Sequence, residues 1–343
     1  GRGITAVALA SRFWGLGCPK IFHEVATRLS MDGVNTMIKL FQLLAILFFA
    51  CPVWSADGPV AVLLSDTEVA YEQPLVQFKA KLKQDVLVYN LRGDIKRAPE
   101  LMRQIMKNEP ALILALGAKA AYFAKAATAS RQEVPVIFAM VLNWQRYKLL
   151  QGHTNIAGID SDVSSGTQLL SLNLLFPGIK RLGVLYSKTH SMSTIDEAIQ
   201  AAELVGMDIV ARPIDRAKEL KQAYRRLAGK VDAIWLPTDP VLYTMENIHW
   251  LKRQCLKDRL ICIGPSDNIV RLGMLLAVNP DIPSIGSQAA VIAEDILYHG
   301  ASPEEIGVQD PLGTRLTLNA EAAKKIGLTL AEGVLQMADE VIE

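Results

Sequence analysis

The sequence predicts an α/β protein of two similar lobes, each a parallel sheet flanked by helices. Three observations carry that prediction. Short apolar runs suited to strands covered on both faces alternate with helical stretches, and such alternation implies parallel sheets with right-handed crossovers. The alternation falls into two consecutive series, which suits two lobes better than one very wide sheet. The chain of 343 residues gives each lobe an ordinary domain's length.

The first series opens with PVAVLLS from Pro59, an all-apolar strand, followed by a helix near residues 73–82. DVLVYN from Asp85 leads to the helical APELMRQIMKN, PALILALG from Pro110 leads to AKAAYFAKAAT, and VPVIFAM from Val134 closes the series. The second series begins after Gly158 with the helix SSGTQLLSLNLLFPG, then the strand KRLGVLYS and the helix STIDEAIQAAELVG. DIVARPI leads to RAKELKQAYRRLAG, VDAIWLP leads to VLYTMENIHWLKRQC, and RLICIGPS is the last of these strands. Nearly every predicted helix stops on Gly, Pro or a basic residue, as helix ends should. MLLAVNPD and TRLTLN read as late strands, placed so that the chain passes back to the first lobe and then returns. The expected division is therefore 57–158 with about 280–314 in the first lobe, and about 159–279 with 315–343 in the second.

Ahead of the lobes, MIKLFQLLAILFFACPVWSADG from Met37 reads as an export signal. Lys39 supplies the positive start, and Leu40 to Phe49 form an apolar core too short to span a bilayer comfortably. Pro52 breaks it, and Ser55 and Ala56 are small residues suited to a peptidase, giving a leader over residues 37–56. A buried helix or a retained anchor is the plain alternative. Cys51 after FFA faintly resembles a lipoprotein processing site, but the bulky Phe48 and Phe49 fit that badly. Residues 1–36 show no clear period and read as an extension that the mature protein lacks; Met31 and Met37 could each be the start. Cys18 and Cys51 would leave with the leader, so Cys255 and Cys262 remain in a compartment that permits a disulfide. Cys255 ends a predicted helix and Cys262 lies in the next strand. A helix packed on a sheet holds such Cα atoms about 10 Å apart, beyond the roughly 7 Å a disulfide tolerates. Two buried thiols are expected.

Composition removes several function classes. The formal net charge is +1 and no Lys/Arg cluster forms a stripe, so nothing draws the chain to nucleic acid or acidic membranes. No GxGxxG, P-loop or Cys-rich metal spacing occurs in the mature part, so neither a cofactor nor a metal is expected. GIDSDVSSG is not a nucleophile elbow. His153, His190, His249 and His299 fall in unrelated segments, and Asp160 and Asp162 read as turn and cap residues rather than an acid/base pair. Catalysis is not indicated.

VDAIWLPTDPVLY (Val231 to Tyr243) is more informative. An apolar strand stops abruptly on Thr238-Asp239-Pro240, and a carboxylate just beyond such a strand sits where open α/β folds place ligands. Asp239 is therefore either a ligand contact or the cap of the following helix, with Pro at its first turn.

Several ordered motifs, PALILALGAKAA, VPVIFAM, NIAGID, LFPGIKRLGVLYS, AAELVGMDIV, VDAIWLPTDPVL and LNAEAAKKIGLTL, give the chain a family resemblance. From about residue 60 to about 330 it resembles the ABC-transporter substrate-binding proteins of the tryptophan/tyrosine-type group. The resemblance implies the type I periplasmic-binding-protein fold, with two Rossmann-like lobes closing on a ligand cleft between them. It implies capture of a small polar solute, such as an amino acid or related compound, and an ABC permease as partner. It also implies a periplasmic or other extracytoplasmic location. By position, the loops that would face the ligand are Ser65 and Asp66, then Gly117, Ala118 and Lys119, then Asn143 and Trp144. From the second lobe come Ser187, Thr238 with Asp239, and Ser266 with Asp267.

In relatives that bind amino acids, the acid of the Thr-Asp motif holds the ligand amine, a role that falls on Asp239. Ser65 and Ser266 would orient the ligand and Trp144 would wall it. The family often has a hydroxyl residue and Pro after the glycine, where this chain has Ala118-Lys119, and Asp-Pro where it has Asn143-Trp144. Lys119 then either pairs with an anionic group or is a solvated helix residue; Trp144 either stacks on a ligand or packs. Two other roles use the same fold. A sensory binding protein signals through the same closure to a membrane kinase or cyclase. Repressors carry a helix-turn-helix where this chain has its apolar leader.

Overall fold

The structure, a computed structural model, describes residues 58–343 except residue 68; the expected leader and the segment before it lie outside the described residues. The first lobe begins with β1 (Val60–Leu64), a five-residue strand with every side chain buried. Val60, Val62 and Leu64 point into one core layer and Ala61 and Leu63 into the other, the period-two consequence of a strand covered on both faces. Next come α1 (Glu72–Lys81), β2 (Val86–Asn90), α2 (Ala98–Lys107), β3 (Leu112–Leu116), α3 (Ala118–Thr128) and β4 (Val136–Ala139). The lobe does not close there. β5 (Ile156–Ile159), within NIAGID, pairs in parallel with β4. The sequence pattern missed it because four residues after a turn-rich loop present too short a run to register a period.

Beyond β5 the chain enters the second lobe with α4 (Ser165–Leu175), β6 (Arg181–Tyr186), α5 (Lys188–Leu204), β7 (Asp208–Pro213), α6 (Leu220–Leu227) and β8 (Ala233–Trp235). It continues through α7 (Met245–Asp258), β9 (Ile261–Ile263), a short helix over Asp267–Arg271, and β10 (Leu276–Pro280). The eighteen-residue α8 (Ile282–His299) then packs beside α1 of the first lobe. Gly286 lets the two helices touch, since a Cβ there would collide with the Pro74 backbone carbonyl. β11 (Val308–Gln309) adds to β5, after which β12 (Thr314–Asn319), α9 (Ala320–Ile326) and β13 (Glu340–Ile342) finish the second lobe.

The first sheet has the order β11-β5-β4-β3-β1-β2 and the second β13-β12-β10-β9-β8-β6-β7. Among the described residues, all pairings are parallel except β10 with β12. That exception departs from the expected parallel sheets, and its cause is topological. β10 carries the chain out of the second lobe and β12 brings it back, with Pro280 opposite Thr314, so neighbours that exit and re-enter at one edge must run oppositely.

Cys255 and Cys262 are joined by a disulfide, with Cα atoms 6.3 Å apart, which corrects the expectation of two thiols. The 10 Å spacing holds where a helix lies over the middle of a sheet. Cys255 sits in the last turn of α7, and Arg259 in the left-handed region turns the chain straight into β9 beneath it. With a sequence separation of 7, the bridge closes a small ring. Replacing both cysteines by serine should lower the unfolding free energy by about 2 kcal/mol. Denaturant melts of the double variant against the oxidised protein check this, and equal midpoints would show the bridge to be dispensable.

Candidate functional site

Among the described residues, three chain crossings join the lobes: after β5 (residues 160–164), between β10 and α8, and between β11 and β12. Each leaves or enters at the carboxyl edge of the parallel strands, so both sheets present those edges to the same region, where α/β folds collect ligands. The crossings are tied together. Asp160 N–H donates to the Gln309 carbonyl at 2.8 Å, and Asp281 N–H to the Gly313 carbonyl at 2.9 Å. The Gln288 side chain donates to the Asp310 carbonyl (2.9 Å) and accepts from Leu312 N–H (3.0 Å).

On the first lobe, Ser65 follows β1 and is buried. Its Oγ accepts from Ala120 N–H at 2.9 Å, capping α3 from a neighbouring strand because the N-cap of that helix, Gly117, has no side chain. Gly117 has φ 91°, and a Cβ on it would strike the hydroxyls of Tyr71 and Ser65. Glycine is required there twice over. Asp66 accepts from Thr67 N–H, and its carboxylate packs where a Cβ on Gly93 would lie. Ala118, the first residue of α3, is half-buried. Lys119 is exposed, and its Nζ donates to the Gly93 carbonyl at 2.8 Å, spanning two loops of its own lobe. Asn143 takes the left-handed conformation (φ 51°), for which an Asn is suited. The next residue, Trp144, packs its ring on Phe138 with centroids 5.9 Å apart and donates Nε1–H to Asp160 Oδ2 at 3.0 Å. It is half-buried, so packing and ligand contact are not exclusive.

On the second lobe, Asp239 is fully buried. Its carboxylate accepts from Ser187 N–H (2.6 Å) and Ser191 Oγ–H (2.7 Å) at the start of α5, and from Val241 N–H (2.9 Å). It does not cap the helix that follows: α7 starts at Met245 and is capped by Thr244. The abrupt stop in VDAIWLPTDPVLY therefore builds a turn whose carboxylate locks the β8 loop onto the start of α5, where a helix N-terminus favours negative charge. Ser187 is buried with it, its Oγ 3.0 Å from His190 Nδ1. Asp267 is taken up within its own lobe, accepting from Asn279 Nδ2 and from Thr317 Oγ1 (2.7 Å) with Arg315 at 4.0 Å. Ser266 is half-buried and accepts through its carbonyl from Ile269 and Val270.

Sequence reasoning passed over the most unusual group. Asp162 was read as turn or cap chemistry, but the cap of α4 is Ser164. Asp162 Oδ1 instead accepts from Thr238 Oγ1–H at 3.0 Å, joining the first crossing to the β8 loop. Burial pushes its carboxyl up to about 6; Thr238 opposes this and Asp160 adds to it. Its charged neighbour is Asp160 on its own segment; on the β8 loop, burial and the charges of Asp239 and Asp162 hold the Tyr243 hydroxyl well above its usual range. A hint was available in the sequence: two acids two residues apart, directly after a predicted lobe boundary.

Residues 77–342 match the family described as ABC transporter substrate binding protein. A tyrosine-binding protein of Clostridioides difficile (strain R20291) is 23% identical over 245 residues, which is 70% of this chain and 69% of that one. A Streptococcus pneumonia structure described as an ABC domain in complex with L-Trp shares 22% identity and a TM-score of 0.53, covering 82% of this chain and 100% of its own. The ligand-free, open structure of a substrate-binding protein with adhesive properties from Clostridium difficile shares 19% identity and a TM-score of 0.68, covering 83% and 99%.

Two variants separate the acids of this site. Asp239→Ala strands two buried donors, Ser187 N–H and Ser191 Oγ–H, and a half-buried third, and should cost about 3 kcal/mol or more of stability, read by denaturant melts. Asp162 behaves oppositely. Its folded value of about 6 lies above the ordinary 3.8, so its contribution is complete below about pH 4 and lost as pH rises through 6. Asp162→Asn should therefore be more stable than the parent by about 3 kcal/mol at about pH 8, with the gap closing near pH 4. A pH-independent difference would contradict the buried-carboxylate assignment.

Proposed function

The chain belongs to the ABC transporter substrate-binding protein family, and from that premise we propose that it captures a free amino acid in the cleft and delivers it to an ABC importer. The observation that carries this reading is the pair of carboxyl edges facing one region across three tied crossings, the arrangement in which a ligand can hold two lobes together. The relatives named for tyrosine and for L-Trp make an amino acid the first class to try.

In this reading the first lobe supplies Ser65, whose O–H remains to donate after its oxygen has capped α3, and the α3 N-terminus with Gly117, Ala118 and Lys119. That end suits a ligand carboxylate. Asp66, Asn143 and Trp144 border the same edge, and Trp144 offers a ring face to an apolar side chain. The second lobe contributes Thr238, Ser187, Ser266 and Asp267 around a loop that Asp239 holds rigid from behind. Asp239 then serves the ligand by positioning Thr238 rather than by touching the amine. Ligand capture lowers the free energy of the closed form, and the permease reads that form. The work is binding, not catalysis, and its place is outside the cytoplasm, reached through the leader at Met37.

Thermal unfolding of the purified protein with the twenty amino acids, the nucleobases and small anions tests this. A ligand at a hundred times its dissociation constant adds about 2.7 kcal/mol, a rise of a few degrees. A rise with one or a few amino acids is expected. A flat profile across the whole panel would sink the solute-binding reading.

A further inference from the structure

Resting on the cleft as the solute site, we propose that Arg315 is a positioning residue for ligand capture. Linked to Glu340, it forms a latch at the neck of the second lobe that shuts on Asp267 in the ligand-holding form. Affinity then depends on two charges outside the proposed ligand contacts.

The neck is where two of the crossings meet the second lobe. β10 ends opposite the start of β12, with Pro280 paired to Thr314 and Asn279 to Arg315. Asp267, the first residue of the short helix after β9, reaches both strands. Its Oδ1 accepts from Asn279 Nδ2 and from Thr317 Oγ1 at 2.7 Å, so one oxygen ties the outgoing strand to the returning one. The other oxygen is unanswered. Among the described residues no hydrogen bond reaches Oδ2, which faces Arg315 Nε at 4.0 Å, too far for one to form. Arg315 Nε is itself buried and has no hydrogen-bond partner. A buried N–H rarely stays open, and here its missing acceptor stands across a gap that a shift of about 1 Å closes.

Glu340 aims the latch. It stands on β13, the outermost strand of the second sheet, opposite Thr317. Its Oε2 accepts from Arg315 Nη2 at 2.9 Å, and its Oε1 pairs with Arg271 at the end of the short helix. A guanidinium is a rigid planar fork, so fixing one amino group on Glu340 fixes where Nε is directed. The two halves of the open bond sit on parts that a change of lobe angle moves separately. Asp267 follows Ser266 on a strand-edge loop of the cleft, and Arg315 is the second residue of β12, just past the last crossing. Turning the backbone of that crossing carries one against the other. A bond made only in the ligand-holding form stabilises that form alone, and only such a difference raises affinity.

The test measures affinity by calorimetry, at low and high salt, for each amino acid that stabilises the parent protein in the thermal panel. Arg315→Met keeps the apolar stem and removes the fork; Glu340→Gln leaves the fork in place but releases it. At low salt Arg315→Met should bind about 5-fold or more weakly, and Glu340→Gln should weaken binding in the same direction. The double variant should bind no more weakly than Arg315→Met, because the two residues act as one unit. The gap to the parent should narrow at about 1 M salt, where charges are screened beyond about 3 Å. A lowered melting point with unchanged affinity would make the network a structural brace and overturn the proposal. Losses that add in the double variant, or a gap that salt leaves untouched, overturn it as well. Should Arg315→Met fail to fold, Glu340→Gln on the outer strand carries the same comparison. Variants that bind a stabilising amino acid as tightly as the parent sink the latch and leave solute capture intact; stabilisation by nothing in the panel overturns both.

Discussion

The constraint on which this molecule depends is that every connection between its two sheets is made at their carboxyl edges. β5 leaves the first sheet there, β10 leaves the second there, and β11 hands over to β12 there. One edge therefore carries both the crossings and the strand-end loops. It explains the single antiparallel pair in the second sheet, and it explains why Gln288 on α8 reaches into the crossing between β11 and β12. Hydrogen bonds among the crossings make three strands of chain behave as one joint, in which a few backbone dihedrals can absorb a change of lobe angle.

Around that joint the polar groups divide by how completely they are satisfied. Ser65 caps a helix belonging to another strand–helix unit, Asp239 locks a loop to the start of α5, and Asp267 binds β10 and β12 to the short helix after β9. These are internal joints that keep strand-end loops in register with one another. Asp162 is different: half-buried at the first crossing, it accepts from a single neutral donor, Thr238, which ties that crossing to the β8 loop.

The disulfide belongs to the same economy of loops. β9 is only three residues long and leads directly to Ser266 and Asp267. A strand that short has few ladder hydrogen bonds to hold its end, and the covalent link from α7 fixes it near its middle, at Cys262.

The sequence by itself determined the alternation of strands and helices, the two lobes, and the positions at which strands end in Ser65, Gly117, Asp239 and Ser266. Those features are local: an apolar run of five residues, a Gly or a polar residue after it, and a helical stretch behind are legible wherever they occur. What escaped was short or non-local. β5, β11 and β13 have four, two and three residues, too few to show a period, and they exist because a neighbour offers an edge. The bond between Cys255 and Cys262 needed the path of the turn at Arg259, which no spacing rule encodes. The roles of the acids were decided only by tertiary structure. How many donors a carboxylate receives depends on what other segments bring to it, and Ser187, Ser191 and Thr238 come from far along the chain to give Asp239 more than Asp162.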